Sequence, residues 1–275
     1  MARVLNPLAS REQIKCTPSS EDGIPWELEE DMRAYGCKLI QQAGILLKLN
    51  QVAMATAQIL FQRFWYVSSM KQYSISDTAI GALFLSSKIE ECPLRMRDLI
   101  NIFDLLLSRA AHKGPGPYVH TPMLYFAQTF YDLKDAMVVA EMQLLKRLGF
   151  NTNVVLPYGT LVNYLRVLDL ARDTSVCRKA WAFLNDSLQT PAFAIYPLPT
   201  VVCTCIHLAA RHLQVALPDD WWDVFDAEWD DLHTVAGMVM RLYRPRAATE
   251  RANVEQLISK REVRQWLEQH ATSTS

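Results

Sequence analysis

No run of about eighteen uninterrupted apolar residues occurs in the chain, so no membrane-spanning helix is expected. The N-terminal MARVLNPLASREQ holds too short an apolar run for a secretory signal. Cysteine is sparse. The six, at 16, 37, 92, 177, 203 and 205, show no Cys-x-x-Cys and no disulfide-like spacing, which points to reduced thiols in the nucleus or cytosol. An excess of one charge is missing too: 28 Lys and Arg stand against 29 Asp and Glu, for a net charge of −1. Neither a polyanion nor an anionic membrane is therefore the default partner. No GxSxG, no HExxH and no Cys/His pairing with catalytic context is found. No alternating pattern suggests a strand.

What is present is helical. Half the 275 residues are hydrophobic and a fifth are charged, a globular composition long enough for two units with cores of their own. The stretch SISDTAIGALFLSSKIEECP, residues 74–93, is uncharged between Thr78 and Ser87 and mixes Ala79, Gly81, Ala82, Ser86 and Ser87 with bulky apolar residues. A helix apolar on nearly every side belongs at the centre of a bundle, where small residues let neighbours approach. Asp77 is the expected N-cap, and Cys92-Pro93 the stop. Lys88 prolongs the row of Gly81, Phe84 and Leu85, so a cation there needs a partner.

A second stretch, LPTVVCTCIHLAARHL at 198–213, repeats the pattern and is uncharged until Arg211. The spacing that carries Lys88 onto Arg211 also carries Phe61 onto Leu184 and Ala57 onto Ala180. VAEMQLLKRL (139–148) resembles VAGMVMRL (235–242) at a shorter spacing, and a longer connector around 105–125 accounts for the difference. The expected fold is all-α, two tandem five-helix units. Residues 1–25 read as an extended N-terminal arm and 26–156 as the first unit. Residues 157–245 read as the second unit and 246–275 as an amphipathic helical tail. Helices are expected over Trp26–Leu49, Asn50 or Gln51 to about Val67, the central stretch, Arg95–Leu107 and Phe130–Leu148, the last capped by Gly149. In the second unit they are expected over Tyr158–Asp169, Ser175 to about Thr190, the second central stretch, a TrpTrp turn at 221–225, and Asp226–Tyr243. The glycines and prolines of AAHKGPGPYVHTPM make 110–123 a surface connector.

Glu141 is the second outlier. Taking 3.6 residues per turn, it lies within about 60° of Met137, Val138, Leu144, Leu145 and Leu148. An acid inside an apolar stripe wants a partner, which makes Lys88 and Glu141 candidates for each other: either a structural ion pair or part of a binding face. Cys203 and His207 share a helical face, but a buried thiol and a hydrogen-bonded imidazole account for them without a metal. KGPGP at 113–117 lacks the strand and helix of a phosphate loop. DDWWD at 219–223 spells a DDxxD magnesium-diphosphate string. No second acidic cluster faces it, and acids beginning a short helix suit its dipole.

The two five-helix repeats, SKIEE (87–91) and AEMQLLKRLGF (140–150) resemble the cyclin box. CTPSSEDG (16–23), SSKIEECPLRMRDLINIF (86–103), NDSLQT (185–190), LAARHLQVALP (208–218) and WWDVFDA (221–227) are similar to the L-type branch of the cyclin family. The resemblance implies a nuclear, non-catalytic activator that pairs with a cyclin-dependent serine/threonine kinase. The role is in RNA polymerase II transcription and pre-mRNA processing. It implies kinase contacts at Lys88, Glu141, Ile89, Leu145 and Phe150, and no bound cofactor, metal, nucleic acid or membrane. Met32-Arg33-Ala34-Tyr35-Gly36 departs from the family's substrate-docking Met-Arg-Ala-Ile-Leu. Gln62 stands where many cyclins carry an acid, and Gly237 where the second repeat would need a glutamate. L-type cyclins commonly carry an Arg/Ser-rich tail; residues 271–275 read ATSTS, which favours transcription over splicing. Two further readings stand beside this one. A general transcription factor of the same two-repeat fold would bind DNA, yet would call for a basic chain with a zinc ribbon. A DDxxD prenyl-diphosphate enzyme is the other.

Overall fold

Residues 6–112, 118–245 and 254–271 are described by the computed structural model, and all regular structure among them is helical. Two compact units divide the chain: residues 11–152 with 246–275, and residues 1–10 with 153–245. The KGPGP segment, expected as a flexible connector, lies outside the described residues.

The expected extended arm instead contains two short helices, α1 (Arg11–Lys15) and α2 (Pro18–Glu21). Thr17 caps α2 by accepting from the Ser20 amide at 3.1 Å, and Pro18 sits where a helix needs no N–H. Ser19 is fully buried and accepts from the Met70 amide at 3.2 Å. The small polar residues of the arm therefore act as local caps and anchors.

Helices α3 (Trp26–Leu46), α4 (Gln51–Phe64), α5 (Ile75–Ile89), α6 (Met96–Ala111) and α7 (Gln128–Arg147) follow. α6 runs four residues past its expected end at Leu107, because Leu-Ser-Arg-Ala-Ala favours helix up to the glycines and prolines. α5 is the hub, with Ile75 and every residue from Thr78 to Ser87 buried. Its two buried serines donate back to their own helix, Ser86 to Leu83 O at 3.0 Å and Ser87 to Phe84 O at 2.7 Å, so neither hydroxyl is stranded. The Phe61 ring lies over Gly36, filling the room a side chain would take.

The N-cap of α5 is Ser74, not Asp77. The Ser74 hydroxyl accepts from the Asp77 amide at 3.3 Å, and Asp77 falls in the first turn. The first-turn amides of Ile75 and Ser76 donate to Ile258 O, at 3.0 and 3.4 Å. The tail thus closes the hub helix, and Val254, Leu257 and Val263 are buried with it. A helix at Lys260–Ala271 follows, and Arg264 Nε donates to Lys71 O at 3.0 Å.

The second unit holds α8 (Tyr158–Val167), α9 (Thr174–Ser187), α10 (Ala192–Ile195), α11 (Leu198–Leu213) and α12 (Trp229–Arg241). The short α10 had no periodic signal. A 3-10 turn at Asp223–Phe225 stands in the place of α6. Asp173 caps α9 through the Ser175 and Val176 amides, at 2.8 and 3.3 Å. Val201 to Ile206, Ala209 and Ala210 fill the core from α11. Trp221 is buried against Phe225, and Trp222 packs on Trp229 with centroids 4.1 Å apart.

Candidate functional site

α5 and α7 cross over Gly81. A Cβ built there would lie 2.9 Å from Ala140 Cβ and 3.0 Å from the Glu141 amide nitrogen, so the helices touch with no room for a methyl. Two turns further along the same face of α5 stands Lys88. The close crossing brings its Nζ to 2.6 Å from Glu141 Oε1. The Lys88 side chain is 49% exposed and the Glu141 side chain 13%. Its ammonium also lies 4.0 Å from the centre of the Phe84 ring, a cation–π contact that steadies the long stem. The two outliers of the sequence are therefore in contact.

An ammonium has three donors and a carboxylate two acceptor oxygens. One N–H and one oxygen meet each other, which leaves further donors on Lys88 and a further acceptor on Glu141. A solvent-exposed ion pair stabilises a fold by about 0–1 kcal/mol. Its contribution to the fold is too small to explain a charge on each of two otherwise apolar faces, whereas a partner covering both would find them preset.

Apolar surface flanks the pair. Ile89, the last residue of α5, and Leu145 are half-buried. Phe150 is 65% exposed and held at φ 57°, just past Gly149 at φ 60°, where the chain turns left-handed after α7. Sequence reasoning missed Met142 and left Val138 as one more member of the apolar stripe. With Leu145 they follow helical spacing along one side of α7, and Val138 and Met142 are 41% and 50% exposed. Apolar residues at helical spacing that stay exposed beside an ion pair are the signal that could have found them. Glu90 is separately engaged: it accepts from Thr56 Oγ1 at 2.7 Å, which leaves Glu141 as the partner of Lys88.

Elsewhere the outliers resolve into packing. Gln62 donates to Cys37 Sγ at 3.3 Å. Arg33 is buried and pairs with buried Glu29 one turn earlier, while its guanidinium lies 4.4 Å from the Tyr66 ring. Glu29 also accepts from Thr17 Oγ1 at 2.5 Å. Burial pushes the Cys37 thiol up to about 12. Cys203 is buried, while half-buried His207 packs against Trp229 and His233. Asp219, Asp220 and Asp223 are exposed in a turn around buried Trp221. Among the described residues no group of three or more His, Cys, Asp or Glu side chains could hold a metal ion. No described helix is long and apolar enough to cross a membrane.

Residues 3–153 match the family profile described as "Cyclin, N-terminal domain". Among curated relatives, Cyclin-L2 of Homo sapiens is 39% identical over 240 residues, covering 86% of this chain and 45% of its own. Cyclin-L1 of Danio rerio is 37% identical over 260 residues, covering 94% and 51%. The chain thus spans about half the length of the curated relatives it matches. Among solved structures, a chain of the yeast RNA Pol II CTD kinase CTDK-1 complex superposes with a TM-score of 0.67 at 15% identity. That match covers 87% of this chain and 73% of the other. A chain of the yeast TFIIK (Kin28/Ccl1/Tfb3) complex gives 0.57 at 16% identity, covering 85% and 96%. At such identities these two likenesses speak for the fold.

Proposed function

The chain belongs to the cyclin family and resembles its L-type members, and from that premise we propose that it is the regulatory subunit of a cyclin-dependent serine/threonine kinase. The observation that carries this reading is the Lys88–Glu141 pair, held at 2.6 Å beside exposed Val138, Met142 and Phe150. The pair offers a kinase backbone one donor and one acceptor. Ile89, Leu145 and Phe150 supply apolar area on the same side.

The action is positional. A cyclin laid against the kinase's regulatory helix holds it inward, so that the kinase's own Lys–Glu pair closes on the ATP phosphates. The cyclin then contributes no reacting group. Names among the relatives and fold neighbours, Cyclin-L1, Cyclin-L2, an RNA Pol II CTD kinase complex and TFIIK, support a setting in RNA polymerase II transcription, in the nucleus.

The test is association and activation measured together. The full chain is mixed with a transcriptional cyclin-dependent kinase, and affinity and phosphate transfer to a serine peptide are followed. Truncating one partner of a hydrogen-bonded charge pair that binding buries costs about 2–5 kcal/mol of affinity. Lys88→Ala and Glu141→Ala are therefore expected to bind at least about tenfold more weakly, with melting almost unchanged. Lower melting with intact affinity would make the pair structural and sink the reading.

A further inference from the structure

The second unit opens where the first closes. By the repeat register, Leu60, Phe84, Leu85, Met137 and Leu144 of the first unit correspond to Phe183, His207, Leu208, His233 and Met240 of the second. The first five are at most 5% exposed and pack against one another's helices. Of the second five, His207 and Leu208 are half-exposed, His233 is exposed, and Met240 is 50% exposed. Between α9, α11 and α12 they line a cavity of about 550 Å³.

The chemistry of the cavity is one-sided. Phe183 and Leu208 form an apolar floor that Met240 continues to the rim, Lys179, Arg211 and His212 stand around it, and no lining residue is acidic. Lys179 Nζ lies 5.5 Å from the centre of the Phe183 ring, so its charge overhangs the floor. Burial, then Arg211 and His233, lower the pKa of His207, and Lys179 and Arg211 are the basic residues of the lining beside His212. Asp186 is engaged by the hydroxyl of Tyr243, itself a lining residue. A volume of this size suits a ligand's apolar groups. The rim, with Arg211, His212 and Met240 in solvent, does not enclose a small molecule. It fits side chains projecting from a longer chain that lies across the surface.

We propose that this cavity docks an acidic, amphipathic segment of a partner protein, with its bulky apolar side chains on Phe183, Leu208 and Met240 and its carboxylates against Lys179, Arg211 and His212. This site is separate from Lys88 and Glu141, and its occupation does not depend on the kinase reading. Helical segments with apolar residues at i, i+3 or i+4, and i+7 are the usual way such grooves are filled.

The test uses the full chain and a fluorescein-labelled peptide of Asp and Glu carrying Leu and Phe at helical spacing, read by fluorescence anisotropy. Saturable binding is expected. Arg211→Glu combined with Lys179→Glu should weaken it by about tenfold or more, an effect of about 1.4 kcal/mol. Arg166→Glu, which reverses a charge on α8 away from the cavity, should leave it unchanged. A peptide with Lys in place of each acid should not bind. Should the double reversal melt abnormally, Arg211→Ala and Lys179→Ala are to show the same loss in smaller steps. Equal binding of the acidic and basic peptides, or no response to the cavity variants, would overturn the proposal. So would a dimer in sedimentation that the double reversal dissolves, since the cavity would then belong to a second copy of the chain.

Discussion

Replacing one glycine in each repeat with alanine should have opposite effects. At Gly81 a new Cβ falls 2.9 Å from Ala140 Cβ and 3.0 Å from the Glu141 amide nitrogen. Those neighbours are a methyl fixed to a helix and the helix backbone itself, so neither can rotate away. α7 has to shift as a body. Overpacking of this kind costs about 1–3 kcal/mol, against an intrinsic helix gain of about 1 kcal/mol for Gly→Ala. A net loss of up to about 2 kcal/mol is expected for Gly81→Ala. At about 2–4 °C per kcal/mol for a domain of this size class, melting should fall by several degrees. The shift also carries Glu141 off Lys88, so kinase affinity should drop with it. At Gly237 nothing lies within 4 Å, and only the helix gain remains. Gly237→Ala should melt at or slightly above the parent. The assay is thermal unfolding by circular dichroism for both variants, with kinase affinity alongside. If Gly81→Ala melts no lower than Gly237→Ala, the close crossing of α5 and α7 is not what sets the Lys88–Glu141 contact.

The tail should matter to the first unit: Leu257→Ala removes a side chain only 6% exposed and should cost about 2–5 kcal/mol. An unchanged melting temperature would detach the tail from that core. Residues 157–275 contain neither Lys88 nor Glu141, so this fragment is expected to bind no kinase in a pull-down, and tight binding would move the working face to the second repeat. Burial pushes Cys37, Cys203 and Cys205 up to about 12, so these thiols should resist iodoacetamide in the native chain while exposed Cys16 is alkylated; labelling of Cys37 first, by mass spectrometry, would contradict its packing. Burial also holds His207 below its ordinary 6.5, so the unfolded chain takes up the proton more readily than the folded one. Stability should therefore fall as pH drops through that value and recover above it, and His207→Gln should flatten the dependence in denaturant melts.

Much of this was legible in the residues because helices are written locally. The run Thr78–Ser87 marks a buried helix by its small and apolar residues, and α5 is that helix. Lys88 and Glu141 stood out because each breaks an apolar stripe, a pattern visible at 3.6 residues per turn without any coordinates. The repeat was visible because matching stretches recur in order. Element ends were less legible. Ser74 and Asp77 are equally good caps by residue type, and only the backbone geometry at Ser74 decides between them.

What the sequence by itself determined is the long helices of the two units, their order, the doubled unit and the two misplaced charges. Each follows from periodicity within a window of a few turns. The tertiary structure alone decided whether those charges meet, since 53 residues separate them and only the contact at Gly81 brings them to 2.6 Å. It alone showed that Ile258 O takes the first amides of α5, a bond across the length of the chain that no local pattern encodes. It also decided that counterpart positions pack shut in one repeat and leave a cavity of about 550 Å³ in the other. Space between helices depends on how their backbones approach, and residue spacing along one helix carries no record of that distance.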